Sequence, residues 1–132
     1  MILQGQSFLI PSGPGDKKHQ HFVVVEPRVL PGHGRRSHVL LAGVTTIYEG
    51  VHYDSACVLE PGDHPFIKHH SYIDYRNVRI VAVTHVETMR DKGVWIENDS
   101  CSRTLIERIF AGIFVSKHVK RFVQDALREE VK

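Results

Sequence analysis

Three stretches gather the side chains that could do chemistry: Lys17-Lys18-His19-Gln20-His21, Thr45-Thr46, and Asp63-His64-Pro65-Phe66-Ile67-Lys68-His69-His70-Ser71-Tyr72. The chain carries ten histidines in 132 residues, and histidine is the side chain whose unperturbed pKa lies nearest neutrality. On an extended strand His19 and His21, two residues apart, project to one face. A pair of imidazoles can pass protons near pH 7, while a lysine or arginine steadies the charge that builds on a phosphate. Those parts suffice to cut RNA without a metal. A base takes the proton of the 2′-hydroxyl, an acid protonates the leaving oxygen, and a cation or donor holds the phosphorane. Lys18, His19, His21, Thr45, Thr46 and His64 form the candidate catalytic set. Lys17, Arg35, Arg36, Lys68, His69, His70 and Tyr72 are candidates for holding the RNA, with Tyr72 able to stack on an unpaired base.

Other uses of the same residues stand beside this one. His19 and His21 with His64, His69 or His70 could make a zinc-type set, but the usual ligand spacings are missing, so neither metal nor cofactor is expected. In the plainest reading His64 and His69 or His70 hydrogen-bond the tight loop after Gly62, and Lys17 and Lys18 form a solvated turn. A serine nucleophile lacks its G-x-S-x-G turn, and Cys57 sits inside an apolar strand. Cys57 and Cys101 form no C-x-x-C pair and read as reduced, buried thiols.

The elements that must position these groups are mostly short strands. Gln6 to Ile10 is an apolar run stopped by Pro11, and Ser12-Gly-Pro-Gly-Asp16 reads as a turn. His21 to Val25 has the continuous β-branched character of a strand covered on both faces. Residues 28–37 hold Pro31, Gly32 and Gly34 beside Arg35 and Arg36 and read as an exposed basic loop. A strand over 38–48 begins buried and ends at Thr45-Thr46, so the two hydroxyls sit near a loop mouth. Ala56 to Leu59, Ser71 to Tyr75 and Val78 to Val86 complete a set of about six predicted strands. After residue 100 the pattern changes. Thr104-x-x-Glu107 resembles a capping box ahead of Ile109, Phe110 and Ile113. Ser116 is a candidate cap for a second segment with Val119, Phe122, Val123, Ala126 and Leu127 on one face.

Length and composition fit one domain, with 42% hydrophobic residues and no internal repeat. A net charge of +2 is too small to wrap duplex nucleic acid by electrostatics alone, so local patches must carry any such binding. No segment approaches the roughly 20 apolar residues that a bilayer requires. No membrane partner and a cytoplasmic location are the expectations.

The order of elements resembles the MazF/PemK/Kid toxin family. The likeness rests on Gly5-Gln-Ser-Phe-Leu-Ile10, a Pro/Gly loop, a basic residue ahead of His21-Phe-Val-Val-Val25, a strand ending in threonine, and Ser71-Tyr-Ile-Asp-Tyr-Arg-Asn-Val-Arg-Ile80. The resemblance implies a mainly β fold: an SH3-like, MazF-like β-barrel over 1–96 with a C-terminal helical segment over 100–130, within a single domain 1–132. It also implies a homodimer that cleaves single-stranded RNA without metal and is neutralised by a cognate antitoxin. The alternative is a non-catalytic small barrel that binds nucleic acid or protein. Position by position, the family's catalytic arginine falls at Lys18 or His19 and its threonine at Thr45 or Thr46. Lysine or histidine lacks the bidentate fork that arginine lays on a phosphate, so the chemistry at this position must differ.

Overall fold

Alternating and β-branched segments give most of the regular structure. The computed structural model describes residues 1–12 and 17–128. Its strands are β1 (Ser7–Pro11), β2 (Lys18–Val23), β3 (Arg28–Val29), β4 (Ser37–Thr46), β5 (Val58–Leu59), β6 (Ser71–Ile73), β7 (Arg79–Ala82) and β8 (Ile96–Asn98), with a 3-10 turn at Tyr75–Asn77. Its helices are α1 (Val83–Asp91), α2 (Arg103–Val115) and α3 (Arg121–Leu127). The fold is mainly β. The turn expected over Ser12 to Asp16 lies, from Gly13 onward, outside the described residues, as do positions 129–130 of the expected helical segment.

All strand pairs are antiparallel, and the path runs β5-β6-β4-β2-β1-β8, with β3 and β7 added along β4. Among the described residues β5 and β8 are not paired to each other, so the sheet is coiled but not closed into a barrel. Both end strands are only two or three residues long. Helix α2 is tied to β5 and the turn after it: Arg108 donates to the Val58 carbonyl (2.7 Å) and its Nη1 lies 3.5 Å from the Asp63 carboxylate.

Cross-strand partners share a face of a sheet. One face carries Phe22, Leu40 and Ala42, buried with Leu105, Ile109 and Ile113 of α2 and Val123 and Leu127 of α3, and the half-buried Ile80 packs against them. The other carries Phe8, Ile10, Val23, Val39, Leu41 and Val81, and packs against Ile2, Val86 and Trp95. Helix α1 covers only part of this second face, and the uncovered part is where His19 and His21 stand.

Three expectations about elements need correction. The β-branched run over 78–86 was expected to be one strand, but it is strand only to Ala82 and helix from Val83. Val83, Val86 and Met89 recur every three residues, so helical winding puts all three on the second core cluster, and packing overrides β propensity. The cap of α2 is Ser102, not Thr104: its hydroxyl accepts from the Leu105 amide at 3.2 Å. Ser116 closes α2 rather than opening α3, which begins after Lys120 without a side-chain cap.

The cap makes a quantitative expectation. Ser102→Ala should cost about 1 kcal/mol, seen as a lower urea midpoint at unchanged slope, whereas Thr104→Ala at an exposed helical position should stay within about 0.5 kcal/mol of the parent.

Cys57 and Cys101 are both free and buried. Burial pushes both thiols up, that of Cys101 to about 12, which keeps it protonated and unreactive at neutral pH. Among the described residues no helix is long and apolar enough to cross a membrane.

Candidate active site

The site arises where β4 changes partners. The β2–β4 ladder pairs His21 with Gly43, Phe22 with Ala42 and Val23 with Leu41, and stops there. Beyond it β2 stays with β1, pairing Lys18 to Pro11, while β4 turns to β6, pairing Val44 to Ile73 and Thr46 to Ser71. The strands therefore diverge, and Lys18, His19 and Gln20 look across a notch at Val44, Thr45 and Thr46. A cleft of ≈ 550 Å³ opens on one side and another of ≈ 560 Å³ on the other. Ser12, His19, Val44 and Thr45 border both, so the two form one groove through the notch.

His21 sits at its centre. Its Nδ1 lies 2.9 Å from the His19 carbonyl oxygen. A carbonyl only accepts, so Nδ1 carries the hydrogen and Nε2 keeps a free lone pair. Gly43 makes room for the ring: a Cβ at that position would lie 2.8 Å from His21 Nε2. Burial holds the His21 pKa below the ordinary histidine value, with nearby Arg79 and His19 pressing the same way, while the hydrogen bond to the His19 carbonyl and Asp74 oppose it. A neutral imidazole with a bare Nε2 is the form a general base requires.

His19 stands on the same face of β2, its Nδ1 2.5 Å from Ser12 Oγ. That oxygen can accept from an imidazolium while its own hydrogen reaches the Ile10 carbonyl at 3.4 Å. Arg79, opposite Leu41 on β7, brings a guanidinium into the same cleft. It lies 5.4 Å from the centre of the Trp95 ring, against which His85 packs edge-on. Stacking of this kind fixes a cation without consuming its hydrogens. Asp74 faces the cleft from the segment after β6, held by its amide on the Gly43 carbonyl (2.9 Å) and by Asn77 Nδ2 on its carboxylate (2.6 Å).

The groove continues over Lys17, Lys18, Thr46, Tyr48, Phe66, Lys68 and His69. Of the residues singled out from sequence, His19, His21 and Thr45 line the first cleft, while Lys17, Lys18, Thr46, Lys68 and His69 line the adjoining one, which His19 and Thr45 also border. Others lie elsewhere. His64 is 2% exposed, with Nε2 2.5 Å from the Asp99 carbonyl and Nδ1 accepting from the Phe66 amide at 3.2 Å. Both ring nitrogens are engaged and the ring packs edge-on against Phe22, so His64 ties the loop after Gly62 to the segment before α2. Arg35 and Arg36 precede the far end of β4. Arg36 is nine residues from Thr45, about 30 Å along a strand, and lies outside the groove. His70 borders a shallow recess beside Lys68 and His69, and Tyr72 faces a separate one with Tyr53.

Sequence reasoning did not single out Ser12, Asp74, Asn77 or Arg79. A lone arginine alternating with Val78, Ile80 and Val81 was the available signal for Arg79, because a charge within an apolar strand needs a reason. Among the described residues no three His, Cys, Asp or Glu side chains are grouped so as to hold a metal ion. No protein-family model, curated protein or solved structure matches this chain.

Proposed function

We propose that the chain is a metal-independent endoribonuclease that cleaves single-stranded RNA in the groove between β2 and β4. The observation that carries this reading is the pair His19 and His21 on one face of β2, with the Arg79 guanidinium and the Thr45 hydroxyl on the same cleft. His21 Nε2 takes the proton of the 2′-hydroxyl as O2′ attacks the adjacent phosphorus. The P–O5′ bond breaks as His19, acting as imidazolium, protonates the departing oxygen, leaving a 2′,3′-cyclic phosphate and a 5′-hydroxyl. Arg79 balances the charge of the phosphorane, and Asp74 steadies the imidazolium that His21 becomes. Lys17, Lys68 and His69 line the continuation of the groove, where neighbouring phosphates would lie.

The likeness to MazF/PemK/Kid toxins supports the same activity. It extends the proposal to an SH3-like arrangement whose seam between β5 and β8 is left open, to a second copy as homodimer partner, and to a cognate antitoxin as inhibitor. Here a stacked arginine on β7 and two histidines on β2 take over the work that the family gives to an arginine near position 18 or 19.

The test is incubation of mixed-sequence single-stranded RNA with the full chain in excess EDTA. Cleavage is expected, yielding 2′,3′-cyclic phosphate ends, with none on the same sequence made as DNA. Arg79→Ala should slow it about 10²-fold or more. Absence of cleavage with or without added divalent metal rejects the nuclease reading and leaves a binding module.

A further inference from the structure

Asp74 borders two recesses. Beyond the catalytic groove it also lines a hollow of ≈ 290 Å³ walled by Tyr53, Asp54, Tyr72, Arg76 and His118. Tyr72 is the cross-strand partner of Thr45, so this hollow begins one side chain away from the groove.

Its walls are held in place. Tyr53 and Tyr72 lie with ring centres 5.6 Å apart at 37°. Asp54 accepts from the Ala56 amide (3.0 Å) and from Ser116 Oγ (2.5 Å), and Ser116 Oγ in turn accepts from the His118 amide (3.1 Å). His118 Nδ1 meets Arg76 Nη2 at 3.1 Å. Asp54 is thus committed to the scaffold. Asp74 accepts from Asn77 Nδ2 on one oxygen and borders the hollow.

We propose that this hollow is a nucleobase subsite that selects guanine beside the scissile phosphate, a deepening that rests on the ribonuclease reading. Paired tyrosines offer a flat platform to any base. Discrimination comes from the rim, where a carboxylate and a guanidinium flank the platform. Guanine presents adjacent N1–H and N2–H donors to a carboxylate, and O6 and N7 acceptors to an arginine. Uracil places carbonyls on both sides of its single N–H, which a carboxylate repels. Adenine lacks an acceptor to match O6, and cytosine is the smaller stacking surface.

Two measurements on the full chain test this. In the first, guanosine, adenosine, cytidine and uridine 5′-monophosphates are titrated calorimetrically, and the guanine nucleotide should bind about tenfold tighter than the others. In the second, cleavage sites are mapped on mixed-sequence RNA, and cuts should cluster at guanine. Tyr53→Ala and Arg76→Ala should each bring the preference within about threefold. A chain that binds the guanine nucleotide selectively but cuts no RNA would keep the subsite and remove the nuclease. RNA cut without regard to guanine, equal binding of all four nucleotides, or a guanine preference untouched by both variants would overturn the subsite while the nuclease stands.

Discussion

Replacing His21 by alanine is expected to slow RNA cleavage by about 10²- to 10⁴-fold, the largest effect on activity of any single change. Its ring combines a bare Nε2 with depressed basicity. The pH profile separates a base from a merely structural histidine. Burial lowers the His21 pKa, so the acid limb of kcat/KM should fall below pH 6.5. His21→Gln should leave the fold intact yet remove that limb. Gly43→Ala offers a second route to the same loss: its added Cβ would stand 2.8 Å from Nε2 and push the ring out of line without removing any reacting group.

The same shift has a consequence for stability. The neutral ring is favoured in the folded chain, so the unfolded chain takes up its proton first as pH falls. Stability from this group is therefore full above pH 6.5 and is lost as pH falls through the lower folded value. In His21→Gln the midpoint of urea unfolding should change less between pH 7 and pH 5 than in the parent.

How far the site could be read in advance follows from which facts are local. That His19 and His21 share a face needs only the two-residue period of a strand, and that Thr45 and Thr46 stand at a strand end needs only the loss of apolarity there. Their convergence is not local. It depends on β4 leaving β2 after Gly43 and pairing with β6, a choice made by residues about thirty positions away. Arg79 and Asp74 join the groove through that same exchange. His64 shows the opposite error: in sequence it lies among reactive residues, yet its partner is the Asp99 carbonyl, 35 positions on. Helix α1 was hidden because Val83 and Val86 suit a strand equally well, and only packing beside Trp95 decides between the periods.

Gly112 carries the second large effect, on stability. It lies inside α2, where glycine costs about 1 kcal/mol relative to alanine. On that reasoning Gly112→Ala would stabilise the chain. The packing gives the opposite sign. Tyr75 is fully buried against α2, and its hydroxyl donates to the Ile109 carbonyl at 2.8 Å. A Cβ on residue 112 would fall 2.0 Å from that hydroxyl oxygen and 2.6 Å from the ring carbon bearing it. The ring cannot retreat, because Tyr75 lies in the main core cluster with Leu59, Ile73 and Ile113. Overpacking of this severity should cost about 3 kcal/mol or more, read as a large fall in the urea midpoint. In the double variant Gly112→Ala with Tyr75→Phe the hydroxyl in the closest clash is gone, and part of the loss should return. The cost of Tyr75→Phe alone, about 1 kcal/mol for the hydrogen bond to Ile109, sets the baseline for that comparison. A double variant no more stable than Gly112→Ala would mean that the ring carbon, not the hydroxyl, sets the clash.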